Sequence, residues 1–510
     1  MTEKDIHNAV ESAEVVILTP ETRHLTELGN AERFVSRHGQ DLRYCHVWGK
    51  WLVWDGQRWQ VDATAEVMRR AKETVRAMYG EASQEDNAKR RSELAGWALK
   101  CEREARIKSM VSLARAEVGI PVMPDEFDVD PWLFNVLRGT INLKTGELRP
   151  HRREDLITKL APVQYNPDAT CPRWLAFLSQ IMNGREDLIR FLQRAVGYSL
   201  TGDTSEQVMF ILHGLGANGK TTLVTVVRTT LGDYAQTTRT ETLLIRREDS
   251  IPNDIARLQG ARMVMAVEAE AGRRLAESLV KQLTGGDPVT ARFLHAEWFE
   301  FVPTFKLWLT TNHRPRIVGT DDAIWRRIRL IPFSVTIPEK KRDPHLAEAL
   351  CEESSGILAW AVRGCLEWQR EGLGLPDEVK AATAAYRDDM DVLGGFLDEC
   401  CVLSAAAETP SRDLRAAYIK WCEANGENPL SQRVFAGVLK ERGLESRKSH
   451  GAKVWEGIQF RSGDDPGDHG EGADHYSPFS EPSSSREKNT QKRSGRSPSS
   501  PEDEFEVGEI

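Results

Sequence analysis

His213–Leu223 reads HGLGANGKTTL and directly follows the apolar run VMFIL, Val208–Leu212. Its core, Gly214-Leu215-Gly216-Ala217-Asn218-Gly219-Lys220-Thr221, fits the pattern G-x-x-x-x-G-K-[ST]. A strand is predicted before it and a helix after it, over 222–231. Glycines let successive backbone N–H groups turn inward on phosphates, and the helix N-terminus at Thr222 adds its positive end. Lys220 would reach the β- and γ-phosphates, and Thr221 would hold Mg²⁺ through its hydroxyl. The pattern points to a nucleoside triphosphate and says nothing about the work its hydrolysis drives.

The chain around this loop has 510 residues, enough for several domains. It is 40% hydrophobic and 28% charged, as soluble globular proteins are. A net charge of −9 excludes a uniformly basic nucleic-acid coat but not a local basic channel. The eight cysteines are scattered, with only Cys400 and Cys401 adjacent, and form no CxxC pair, which argues against a zinc ribbon or disulfide scaffold and for a reducing compartment. The first twenty residues do not read as a signal peptide, and no run has the length of a membrane helix. A soluble cytoplasmic protein is expected.

The pattern divides the chain into segments. Residues 1–27 read as a loose leader and 28–170 as an N-terminal α+β domain. Within it, WGKWLVWDGQRWQVD (Trp48–Asp62) reads as a hairpin turning at Asp55-Gly56, and NVLRGTINLKTGELRPH (Asn135–His151) as a second one. Val67, Ala71, Val75 and Met78 recur at helical spacing. Residues 171–345, a helical lead-in followed by alternating strand and helix, predict an α/β core. A helical segment, 346–395, and a winged-helix-like domain, 396–460, follow. Residues 461–510 hold too few apolar side chains to offset ordering and are expected to be disordered.

A phosphate loop needs a second strand ending in an acid that fixes the metal and directs water. RMVMAVEAE (Arg262–Glu270) offers Glu268 for the metal and Glu270 for the water, although Glu268 could serve both purposes. A third strand, FKLWLTT, ends at Asn312, whose amide could polarise attacking water. Between these strands, KQLTGGDPVTARFLHAEWFEF reads as a helix, a Gly-Gly break and a hairpin with Phe293–Glu297 near its tip. Lys281, Arg292 and His295 are then basic groups on a projecting element. DDAIWRRIRLIPF sets Arg326 and Arg327 before another apolar strand, as ion-pair partners or as fingers that neutralise transition-state charge.

GANGKT, the strand-end Glu268, KQLTGGDPVTAR, LWLTTNHRPR and WRRIRLIPF together resemble the superfamily 3 helicases. The similarity is closest to the phage/plasmid primase family, whose helicase half is related to the poxvirus nucleoside triphosphatase. It covers about 28–460. The resemblance implies a multidomain α/β protein with an AAA+-like P-loop core, forming a hexameric ring that unwinds DNA in a phage, prophage or plasmid of a bacterial host. By that resemblance Glu268 and Asn312 carry the second and third nucleotide motifs, Arg326 or Arg327 the finger, and the 289–302 hairpin the DNA grip. Glu-Ala-Glu stands where other branches have two adjacent acids.

Full-length family members often carry a primase domain, which needs clustered metal-binding acids. FDVD, with Asp128 and Asp130, is the one candidate, and it reads as an ordinary loop. Primer synthesis by this chain is therefore not expected, and a separate primase or host replication proteins would be partners. In the C-terminal segment, Gln432, Arg433, Arg447, Lys448 and Lys453 could meet single-stranded or duplex DNA, or the winged helix could dock a protein. Two other readings stay open: a non-motor, ATP-regulated initiator or loader, and a small-molecule P-loop kinase.

Overall fold

The computed structural model describes residues 24–245, 253–267, 273–292, 298–319, 322–449 and 452–461. The N-terminal part begins with α1 (Glu27–His38), capped by the Thr26 hydroxyl, which accepts from Gly29 N. Strands β1 (Leu42–Cys45), β2 (Lys50–Trp54) and β3 (Trp59–Val61) form an antiparallel sheet. The Trp48–Asp62 hairpin is thus present, with β1 as a further strand. Helices α2 (Glu66–Gln84), α3 (Ala88–Cys101) and α4 (Glu104–Ala114) follow. Val67, Ala71, Val75 and Met78 bury one face of α2 against α1, α3 and α4, as their spacing requires.

The second predicted hairpin is a three-stranded meander, β4 (Leu133–Val136), β5 (Gly139–Asn142) and β6 (Glu147–Arg149). Its apolar residues do not join the N-terminal helices. Phe134, Val136, Ile141 and Leu143 enter the same buried cluster as α5 (Pro172–Ile181), α6 (Glu186–Leu200) and the face of the central sheet. Packing therefore crosses the boundary expected at 170. Sequence periodicity reports which face is buried, not against what.

The central sheet holds β7 (Met209–His213), β8 (Ala235–Thr238), β9 (Met263–Val267), β12 (Lys306–Thr311) and β13 (Ile328–Pro332). Its order is β13-β7-β12-β9-β8, and every pairing is parallel. All six residues of β12 are buried, which explains why these strands read as unbroken apolar runs. Alternate side chains go to opposite faces. Phe210, Leu212, Met265 and Trp308 pack under α5, α6, α7 (Lys220–Leu231) and α12 (Ser354–Glu371). Met209, Ile211, Val264 and Leu309 pack under α9 (Glu277–Gly285) and α13 (Asp377–Met390). Short helices α8 (Asn253–Ala256), α10 (Asp322–Trp325) and α11 (Leu346–Cys351) fill the connections, and β10 (Val289–Ala291) pairs with β11 (Phe299–Phe301) as a separate ribbon. The helical segment 346–395 thus covers both faces of the sheet.

At the C-terminal end, α14 (Val392–Cys400), α15 (Ser411–Ala424) and α16 (Gln432–Glu441) share a core with the antiparallel sheet β14-β16-β15. β15 is Ser446–Ser449 and β16 is Ala452–Phe460, close to the hairpin expected from sequence. β14 (Cys401–Pro410) is a strand where the sequence reads as helix. Its alanine-rich centre, where pairing with β16 shifts between Leu403 and Glu408, hides the alternation of a strand. Leu393 and Phe396 of α14 belong to this core, so the unit begins before 396.

None of the eight cysteines is in a disulfide. Among the described residues no helix is long and apolar enough to cross a membrane.

Candidate active site

Gly214–Gly219 connects the end of β7 to the start of α7. Gly216, Ala217 and Gly219 take positive φ (104°, 49° and 83°), so the chain coils tightly before the helix. A Cβ on Gly214 would stand 2.4 Å from both Asn218 Nδ2 and Phe333 O. One on Gly219 would stand 2.5 Å from Ile181 Cγ2. Glycine is therefore required at both ends of the loop. The tip is tied down from the other side, where Ile337 N donates to Ala217 O at 2.7 Å. Leu215 is 90% exposed.

Lys220 is only 4% exposed. Its ammonium donates to Gly214 O at 2.7 Å, and to Asn218 Oδ1 and Asn312 Oδ1 at 3.0 Å each. All three acceptors are neutral, and burial lowers the Lys220 pKa from the usual lysine value. The parallel register explains how Asn312 arrives. Thr311, the last residue of β12, pairs with His213, the last of β7, so the next positions of both strands emerge at one edge. Thr310 pairs with Val267, bringing the end of β9 to that edge too. Thr221 is exposed and Thr222 half-buried, one and two residues into the helix. His213 carries no motif signal in the sequence. It is half-buried, and burial, then Arg314 and Lys220, push its pKa down.

Glu268 and Glu270 lie outside the described residues, as does His295. The paired arginines separate. Arg327 is 7% exposed; its guanidinium donates to Thr284 Oγ1 at 3.1 Å, Ala323 O at 2.7 Å and Gln207 Oε1 at 3.5 Å. Arg326 is exposed. Both precede β13, whose Ile328 pairs with Met209 at the start of β7. The glycine-rich loop leaves the other end of β7, so the arginines stand roughly 15–20 Å from it along the strands.

Ala291 pairs with Phe299, so Arg292 and Trp298 follow on opposite arms of the β10–β11 ribbon. The Arg292 guanidinium lies 4.7 Å from the centre of the Trp298 ring, which is 46% exposed. Trp298 is a candidate missed in the sequence, although its indole beside a basic cluster was visible there. Lys281 is half-buried on α9. Gln432, Arg433, Lys448 and Lys453 are exposed, whereas Arg447 is held by Glu408 and Glu456. Asp128 accepts from Thr158 N at 2.8 Å and from its hydroxyl, and Asp130 accepts from Trp132 N at 2.8 Å. Asp130 fastens a local turn, whereas Asp128 ties its loop to a segment 30 residues further along the chain.

Fold and site define a multidomain α/β protein whose five-stranded parallel sheet has the architecture of a nucleotide-binding core. Family models place it further. Residues 31–183 match "D5 N terminal like", 212–327 a family of unknown function, and 388–456 "Poxvirus D5 protein-like". The chain is 26% identical over 393 residues to "Putative helicase L207/L206" of Acanthamoeba polyphaga mimivirus, covering 69% of this chain and 41% of that protein. It is 27% identical over 327 residues to "Putative primase C962R" of African swine fever virus, covering 58% and 34%. The chain thus spans well under half the length of these relatives. The apo structure of the NrS-1 C terminal region aligns over 81% of this chain and 94% of that one, with 11% identity and a TM-score of 0.46. The family models and the viral relatives show the resemblance read from sequence: the chain is related to a primase–helicase family akin to the poxvirus D5 nucleoside triphosphatase.

Proposed function

We propose that the chain is the ATP-driven motor part of a superfamily 3-type DNA helicase, serving replication of a phage, prophage or plasmid. The convergence of Lys220, Asn218 and Asn312 where β7 and β12 end carries this reading. The loop fits a triphosphate because its positive-φ residues let the backbone coil tightly, as a cradle of inward N–H groups requires. Lys220, parked on neutral oxygens, would exchange them for β- and γ-phosphate oxygens. Thr221 and Glu268 would hold Mg²⁺, which when bound neutralises charge developing on the phosphates. Asn312 and Glu268 or Glu270 would orient the attacking water.

Arg326 is the finger in this proposal, and it acts in trans. The strand length between it and its own loop exceeds an arginine side chain, so only a neighbouring copy's site is within reach. Arg327, committed to Thr284, Ala323 and Gln207, braces the helix that leads into the β10–β11 ribbon. A homo-hexameric ring in the bacterial cytoplasm meets these requirements, with Arg292, His295 and Lys281 gripping DNA. The C-terminal unit acts as a winged helix meeting DNA through Arg433 and Lys448.

Unwinding of a tailed duplex, together with DNA-stimulated ATP hydrolysis, tests the proposal. Hydrolysis without strand displacement would favour an initiator or loader; hydrolysis indifferent to DNA would favour a kinase-like enzyme. We further propose that primer synthesis is left to a separate primase. Template-dependent primers made by this chain alone, and lost on Asp128→Asn or Asp130→Asn, would refute that.

A further inference from the structure

A second feature lies away from the glycine-rich loop. A cleft of about 590 Å³ opens between the N-terminal part and the root of the β10–β11 ribbon. Trp48, Phe127, Asp125, Lys159, Gln259 and Glu300 line it. Trp48 lies parallel to Phe127, with ring centres 5.6 Å apart and planes 15° apart. Phe127 is 8% exposed and anchors the pair, while Trp48 stays 39% exposed. The indole is thus backed by a buried ring, and its exposed surface lines the cleft.

The polar groups narrow the ligand. Asp128 is spent on Thr158; Asp125 and Glu300 are exposed carboxylates that only accept hydrogen bonds, and Glu300, which takes one from the Thr290 hydroxyl at 3.3 Å, keeps lone pairs for a ligand. They repel a phosphate and suit a flat ring bearing an amino group, as a carboxylate reads the cytosine N4 amine. Arg262 also lines the cleft but is buried and donates to the carbonyls of Leu200, Asp130 and Leu133, whereas the Lys159 ammonium lies beside Gly260 and can meet a phosphate at the rim. The volume is within the range of small-ligand sites and admits one nucleotide.

Position supplies the connection. Pro288 precedes the ribbon and Glu300 lies in its middle pair, so Arg292 stands roughly 13 Å beyond Pro288 and Trp298 roughly 7 Å beyond Glu300. We infer that this cleft binds one unstacked base of single-stranded DNA, stacked on Trp48 and selected for an amino group by Asp125 and Glu300. The inference rests on the DNA-motor reading for the strand's presence at the ribbon and adds a base-selective site to it.

The test measures anisotropy of labelled oligo-dC and oligo-dT, about ten nucleotides long, on the full chain without nucleotide. Wild type should bind oligo-dC more tightly. Trp48→Ala should weaken oligo-dC binding by about 5- to 150-fold, the range of one missing base–aromatic stack, and Trp48→Phe should restore most of it. Asp125→Asn with Glu300→Gln should erase the preference for oligo-dC while keeping oligo-dT binding, which also controls for folding. Equal affinity for the two oligonucleotides in wild type, or none of these changes in a folded Trp48→Ala protein, overturns the site. In that case, binding lost on Arg292→Ala would leave the motor reading standing. Conversely, Trp48-dependent binding in a chain that hydrolyses no ATP would sink the motor reading and keep the cleft.

Discussion

Lys220 donates to Asn312 Oδ1 at 3.0 Å, joining two residues 92 positions apart. The bond spans from the first residue of α7 to the residue after β12, and it exists because β7 and β12 run parallel and end in register. The loop lysine and a strand-end amide therefore face one small volume.

Lys220→Ala should abolish ATP hydrolysis and unwinding with the fold intact, as read by a phosphate-release assay and circular dichroism. The wild-type lysine also has a pH signature. Burial lowers its pKa, so in the free protein it loses its charge at a lower pH than an unfolded lysine does. Affinity for ATP should fall as pH rises through that lowered value. Over the same window the unfolded chain binds more protons, so the stability contributed at Lys220 should rise with pH. Flat ATP affinity across the alkaline range would contradict the assignment.

Glu268→Gln should still bind ATP but turn it over about 10²–10⁴-fold more slowly, the usual worth of a positioned general base. Nucleotide binding by calorimetry and single-turnover hydrolysis separate the two effects. A larger loss in Glu270→Gln would transfer the water-activating role to that residue.

The two arginines should behave differently. Arg327→Ala removes a buried donor to three partners and should cost about 1–3 kcal/mol of stability, visible as a lower melting temperature. Arg326→Ala should melt like wild type, bind ATP and assemble, yet lose roughly 10³–10⁵-fold in turnover. Mixing it with Lys220→Ala should restore part of the activity, since each subunit supplies what its neighbour lacks. Full hydrolysis by a strictly monomeric preparation would rule out the trans arrangement.

Arg292→Ala should weaken single-strand binding and make it less sensitive to salt, because one fewer phosphate is neutralised. The slope of log affinity against log salt should flatten by roughly 0.7 for that phosphate. If basal ATP hydrolysis fell by the same factor as binding, Arg292 would be supporting the core instead.

Much of the site was legible along the chain because its chemistry is local. The glycine-rich loop lies between an apolar strand and a helix, and every residue of its pattern is contiguous from Gly214 to Thr221. β9, β12 and β13 were visible for a related reason: buried parallel strands are continuous apolar runs. β14 was not, since Ala405, Ala406 and Ala407 carry no alternation and its pairing slips beside them. Trp48 and Phe127 gave no sign of their stack, being 79 positions apart.

The sequence by itself determined the glycine-rich loop, the buried strands β7, β9, β12 and β13 and the amphipathic face of α2, since each depends on near neighbours. The tertiary structure decided what depends on distant ones. The order β13-β7-β12-β9-β8 brings Asn312 to Lys220 and sends both arginines to the far end of the sheet. Packing decided that Arg327 is buried and Arg326 exposed, though the two are adjacent and chemically identical. A one-residue step at the end of α10 turns the second guanidinium into the interior, where Thr284, Ala323 and Gln207 supply oxygens, and leaves the first in solvent.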